Sequence, residues 1–178
     1  MKVLVTGGAG YIGSHVVLHL CDKGYDVVVL DDLSMGSKEA VDDRAFFIKG
    51  SILNSDDLIN SLKGVDTVIH LAAFKSAGES MDNPQKYSEN NVIGSKRLLG
   101  AMNEKNVKNI IFSSSAAVYG TPEYLPLDEK HPLKPINHYG YTKLQTEKTI
   151  DMYGNEGLIS YANPVSYTHL RAHETNSN

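Results

Sequence analysis

Lys2-Val3-Leu4-Val5-Thr6-Gly7-Gly8-Ala9-Gly10-Tyr11-Ile12-Gly13 is the stretch on which the reading of this chain turns. Its first five residues form a short apolar run with two β-branched valines, which predicts a buried parallel strand. The next seven satisfy two glycine registers: Gly8, Gly10 and Gly13 as G-x-G-x-x-G, and Gly7, Gly10 and Gly13 as G-x-x-G-x-x-G. Small residues here let backbone N–H groups and a helix N-terminus approach a pyrophosphate, and the helix dipole favours its charge. Ser14 to Gly24 is expected to be that helix, with Val16, Val17 and Leu20 on its apolar side and Gly24 as its stop. A second strand, Asp26 to Leu30, then delivers Asp31 and Asp32. Asp31 falls about twenty residues past the glycines, where a carboxylate accepts hydrogen bonds from an adenine ribose. That carboxylate opposes a 2′-phosphate, and no Arg or Lys follows until Lys38, so NAD is expected over NADP.

Outward from this unit, strands and helices alternate. Ala45 to Lys49 reads as a third strand, Asp56 to Leu62 as a short helix, and Thr67 to Leu71 as a fourth strand entering Ala72-Ala73-Phe74-Lys75. Asn83-Pro84 predicts an N-cap followed by Pro at the first helical position, opening a helix that runs to about Asn106. Asn109 to Ser113 is expected as a fifth strand, Pro122 to Pro135 as a surface loop, Tyr139 to Tyr153 as a helix and Leu158 to Tyr161 as a sixth strand. The implied fold is α/β: a Rossmann-type, doubly wound parallel sheet with helices on both faces.

Tyr139-Gly140-Tyr141-Thr142-Lys143 places a phenol and an ammonium four residues apart, on one face of the expected helix. A Tyr acts as a base near neutral pH only if its pKa, ordinarily about 10, is lowered by nearby positive charge. Lys143 is placed to supply that charge. Tyr-x-x-x-Lys is common by chance; the glycine loop and the Ser113-Ser114-Ser115 run turn it into a candidate redox site.

Composition narrows the class further. The net charge is −4 with no basic cluster, which argues against nucleic acid as a partner. Cys21 is the sole cysteine, so no internal disulfide forms and a reducing compartment fits; within the first helix it reads as a small buried hydrophobe. Met1 leads straight into a strand without a signal peptide, and no apolar run reaches membrane-spanning length, so the expectation is a cytoplasmic chain without a membrane partner. His70, on a central strand, is expected to be a satisfied core histidine.

On its motifs the chain resembles the NAD-binding half of the extended short-chain dehydrogenases/reductases, most closely their UDP-glucose 4-epimerase group. The matching segments are VTGGAGYIGSH, Leu30-Asp31-Asp32-Leu33, Val68-Ile69-His70-Leu71-Ala72-Ala73, Gly78-Glu79-Ser80, Asn90-Asn91-Val92, SSSAAVYG and YGYTK, over about the first 165 residues. The resemblance implies interconversion of UDP-glucose and UDP-galactose, with hydride leaving and returning to C4 through a 4-keto sugar. It implies Tyr139 as catalytic base, Lys143 as its partner and a ligand of the nicotinamide ribose, and Ser115 as the bridge between sugar hydroxyl and tyrosine. Gly7, Gly10, Tyr11, Ile12, Gly13, Asp31, Lys75 and Asn90 correspond to NAD contacts, and Asn163 to a UDP-sugar contact. A homodimer is implied for the whole protein, and no metal.

Three departures accompany the resemblance. Ser51 stands where the family has an Asp that holds the adenine; Ser160-Tyr161-Ala162-Asn163-Pro164 replaces Arg-Tyr-Phe-Asn-Pro; and SYTHLRAHETNSN, from Ser166, has no family counterpart. The expected organisation is therefore an NAD-binding domain at 1–165, ending before a substrate domain, and a foreign tail at 166–178 without strand or helix. His169 and His173 in that tail have a metal-like i, i+4 spacing that reads as chance. A 4,6-dehydratase, decarboxylase or UDP-glucuronate epimerase is the alternative within the fold; Ala116 and Ala117 stand where dehydratases carry acids. A non-catalytic NAD-binding module is the alternative outside enzymes.

Overall fold

The computed structural model describes residues 1–166. Strand β1 (Lys2–Thr6) lies in the middle of a six-stranded sheet, between β2 (Asp26–Asp31) and β4 (Thr67–His70). With β3 (Phe46–Lys49), β5 (Asn109–Phe112) and β7 (Ser160–Ala162), the order is β3-β2-β1-β4-β5-β7, parallel throughout. This is the expected doubly wound sheet. Its direction of winding reverses between β1 and β4, which opens a crevice at the carboxyl ends of those strands.

Side chains alternate across the sheet, and each face has its own core. Val3, Val5, Val27 and Val29 pack on Val17 of helix α1 (Tyr11–Asp22). Leu4, Val28, Leu30, Val68 and Ile110 face the other way, onto Leu58 of α2 (Ser55–Ser61), Leu98 and Met102 of α5 (Gly94–Glu104), and Ile150 of α6 (His138–Asn155). Each aliphatic side chain removed from water here stabilises the fold by about 2 kcal/mol. Strands buried on both faces explain the unbroken apolar runs of the sequence.

Several boundaries differ from expectation. α1 begins at Tyr11 rather than Ser14, inside the glycine motif, and stops where Gly24 takes φ +77°. The single helix expected from Pro84 to Asn106 is instead α4 (Pro84–Tyr87), a π-helical segment Ser88–Ile93, and then α5. Pro84 is the first helical residue, but the Asn83 side chain makes no capping bond. An additional helix, α3 (Ala77–Asp82), precedes it, opened by Ser76, whose hydroxyl accepts from Glu79 N. β6 (Ser114–Ser115) and β8 (Val165–Ser166) form a small separate sheet. Strand pairing thus runs one residue past the boundary expected at 165; His169 and His173 lie outside the described residues. No described helix is long and apolar enough to cross a membrane.

Candidate active site

The glycine loop is shaped by two different constraints. A Cβ on Gly7 would sit 2.6 Å from Ala72 N, and one on Gly13 would sit 2.1 Å from Gly7 O, so the protein's own backbone excludes side chains there. Gly7 also needs its φ of +73°. Gly10 differs. A Cβ there would meet only Gly7 O, at 3.4 Å, which packing tolerates. Gly10 is the N-cap of α1, supplies no capping side chain, and borders a cleft of about 500 Å³ that Gly7, Tyr11, Ile12 and Gly13 also line. A smooth, uncapped helix N-terminus facing a cleft is the surface that a pyrophosphate approaches.

Asp31 closes one end of the cleft. Its carboxylate accepts from Ala9 N at 3.0 Å and Leu33 N at 2.9 Å, one bond to each oxygen. Each oxygen keeps a lone pair for a ribose hydroxyl, and the residue lines the cleft. Ser51 lines it as well; its amide donates to Asp57 Oδ2 and its hydroxyl accepts from Leu53 N. The loop, the acid and the cleft volume fit a dinucleotide.

Lys75, Asn90, Tyr139 and Lys143 line the other end of the same cleft. Asn90 reaches it from the π-helical segment, where widened turns re-aim side chains. Tyr139 lies in the first turn of α6, whose N-cap Asn137 accepts from Gly140 N at 2.8 Å. One turn on, Lys143 is 5% exposed. Its ammonium donates to Ser113 O at 2.7 Å and stands 4.7 Å from the Phe112 ring centroid and 6.0 Å from that of Tyr139. Burial pushes the Lys143 pKa down to about 8, an effect opposed by the negative charge of Glu147. His70 is a satisfied core histidine, as expected: Thr6 Oγ1 at 2.7 Å and Ser95 Oγ at 2.8 Å hold its ring. Burial, with Lys143 nearby, lowers its pKa to about 3.

Two expected substrate residues stand apart from this cleft. Ser115 caps the 3-10 helix Ala116–Val118 by accepting from Ala117 N at 3.3 Å, and pairs with Ser166; it is not among the cleft-lining residues. Asn163 does not line the cleft either, and its buried Oδ1 has no hydrogen-bond partner among the described residues.

The structure also brings in residues that sequence reasoning passed over. Ser80 Oγ accepts from Tyr139 N at 2.9 Å, and Thr142 Oγ1 donates to Tyr139 O at 2.7 Å, so the tyrosine backbone is held on both sides. Asn91 is fully engaged. Its Oδ1 accepts from Phe74 N (2.9 Å) and from the Asn90 amide (3.0 Å), while its Nδ2 donates to Phe74 O (2.9 Å) and Thr142 Oγ1 (3.1 Å). One buried amide therefore links the Lys75 loop, the Asn90 turn and the Tyr139 helix. Ser80 and Asn91 stand inside motifs visible in the sequence; their partners Tyr139 and Thr142 lie 59 and 51 residues away, and only the fold reveals the pairing.

Fold and cleft together define a Rossmann-type dinucleotide-binding domain with a Tyr–Lys pair beside the cofactor surface. The sequence profile of the NAD dependent epimerase/dehydratase family matches residues 3–177, and the chain belongs to that family. It is 47% identical over 173 residues to a UDP-glucose 4-epimerase of Lactobacillus helveticus, covering 96% of this chain and 51% of the relative. The solved structure of UDP-glucose 4-epimerase from Brucella ovis in complex with NAD superposes with a TM-score of 0.89 at 42% identity, over 92% of this chain and 51% of that one. The Thermotoga maritima UDP-glucose 4-epimerase with UDP-glucose gives 0.87 at 37% identity, over 90% and 53%. The chain spans about half the length of the relatives it matches.

Proposed function

We propose that this chain binds NAD in the cleft and forms the N-terminal half of a UDP-glucose 4-epimerase. One observation carries the reading: Tyr139 and Lys143 face the same cleft as the glycine loop and Asp31. That arrangement supports a base at the reactive end of a dinucleotide whose pyrophosphate sits on α1. Bound NAD supplies a hydride acceptor that can return what it takes. Tyr139 removes the proton from the sugar 4-hydroxyl and later gives it back, a role worth about 10² to 10⁴ in rate. Lys143 holds positive charge beside that phenol. Asp31 accepts the adenine ribose hydroxyls, Gly10 and the first turn of α1 take the pyrophosphate, and Lys75 and Asn90 hold the nicotinamide end. Asn163 Oδ1 is an acceptor suited to the UDP-sugar, and Ser115 joins the sugar side.

The test separates the two halves of the reading. Calorimetry on the 178-residue chain is expected to show NAD binding, while turnover of UDP-galactose stays below about 1 s⁻¹, because substrate positioning and water exclusion need further walls. Absence of NAD binding overturns the cofactor assignment, and ordinary epimerase turnover overturns the half-enzyme assignment.

A further inference from the structure

Helix α6 carries a third titratable residue on the stripe that begins with Tyr139 and Lys143. Glu147 follows Lys143 by one turn. The two side chains grip adjacent residues of the segment leaving β5: Lys143 Nζ donates to Ser113 O at 2.7 Å, and Ser114 Oγ donates to Glu147 Oε1. Ser114 is itself fixed, its amide donating to Pro164 O at 2.9 Å and its carbonyl accepting from Ser166 Oγ at 3.1 Å. The carboxylate is thus anchored by a buried hydroxyl, not free to swing into solvent. We propose that Glu147 is the positioning residue that keeps Lys143 cationic, its carboxylate held one turn beyond the ammonium by the strand segment that the ammonium also grips.

The physical need is plain. A buried ammonium set against a carbonyl and an aromatic face loses its hydration and favours the neutral form. A neutral Lys143 withdraws the charge that makes Tyr139 a base. Glu147 acts on Lys143 in the sense that favours the cation, and its own pKa is raised, by burial first and by Asp151 as well. The other titratable groups around it are accounted for. His70, on β4, is neutral above about pH 3; Tyr139 shares the stripe; Asp151 is one turn further on α6 and is engaged by Tyr161 of β7. Among these, Glu147 is the one carboxylate that acts on Lys143.

The purpose of this device rests on the proposed function, but its test needs no cofactor. The ¹³Cε signal of Lys143, identified as the one missing in K143M, is followed by NMR from acid to alkaline pH in the 178-residue chain. In the unaltered protein the midpoint is expected near 8, with a second, smaller step in acid above the usual carboxylate range. E147Q keeps the shape and an acceptor for Ser114 but removes the charge, and should lower the midpoint by about one pH unit. D151N should leave the acid step in place. A midpoint in E147Q within about 0.2 unit of the unaltered protein overturns the proposal. If E147Q does not fold, the acid step decides: its presence in D151N supports the proposal and its absence overturns it. NAD titrated into the same samples tests the proposed function separately, since loss of binding there leaves the Lys143 titration unaffected.

Discussion

At the β1–β2 end of the cleft, much of the surface comes from one run of sequence between Lys2 and Leu33, and its polar groups are held within that run: Asp31 by Ala9 and Leu33 amides, Gly10 N by Gly7 O. Past β5 the construction changes. β6 and β8 are two residues long, β7 is exposed at all three positions, and Asn163 keeps a buried acceptor unmatched among the described residues. The first end is finished by local sequence. The second is assembled from pieces some fifty residues apart, such as Ser114 with Val165, and matches the end of the cleft at which the proposed sugar chemistry needs additional walls. The difference teaches that local sequence is sufficient to shape the glycine-loop end of the cleft, whereas the opposite end is built from distant segments.

The contrast breaks most visibly at Tyr139. In a chain that joins these residues to the second half of a relative, Tyr139→Phe is expected to lower turnover by about 10² or more while NAD stays bound, since only the phenol oxygen is lost. Turnover close to that of the unsubstituted hybrid would remove Tyr139 from the chemistry. Within the glycine loop, Gly13→Ala forces a methyl group against Gly7 O and should cost about 2 kcal/mol or more in urea unfolding. Gly10→Ala should leave the unfolding midpoint nearly unchanged yet weaken NAD binding, because its Cβ makes only an ordinary 3.4 Å contact with Gly7 O and would crowd the proposed ligand. Equal stability losses in the two variants would erase the distinction between fold glycine and ligand glycine.

Cofactor choice is the next smaller effect. NAD(H) should bind at least about tenfold more tightly than NADP(H), about 1.4 kcal/mol, and Asp31→Ala should narrow the gap. Matching dissociation constants in calorimetry would show that Asp31 does not read the ribose. The smallest effect concerns acid. His70 has its pKa lowered to about 3 in the fold from the ordinary 6.5, so the unfolded chain binds more protons between those values. Stability contributed by the neutral ring is complete above about pH 6.5 and falls as the pH drops toward 3. The loss should reach about 1 kcal/mol by pH 5.5. His70→Asn should flatten that slope in pH-dependent unfolding, and an unchanged slope would place the acid sensitivity elsewhere.

The centre of the sheet was legible in the sequence because β1 and β2 are buried on both faces and read as unbroken apolar runs. The cofactor loop was legible because its constraints act within seven residues. Asn90 and Lys75 were named from resemblance alone, and the fold does bring them to the cleft beside Tyr139. The π-helical segment is not marked by local sequence: its widened turn goes with long-range bonds, such as Thr146 Oγ1 donating to Asn91 O at 3.2 Å. Ser115 and Asn163 were legible as residues but not as places. Their surroundings include β8, a strand that local pattern did not announce.

The position of β1 has a consequence for how the chain is made. It leaves the ribosome before the other described strands, yet it occupies the middle of the sheet. One side pairs early, Lys2 with Asp26, while the other waits for Val3 to meet Thr67. Throughout the synthesis of the intervening residues, a valine-rich strand presents an open row of donors and acceptors, the kind of edge on which nascent chains stick to one another. Emergence of Thr67–His70 closes that row and marks the point in translation at which the nascent domain ceases to be adhesive along its centre.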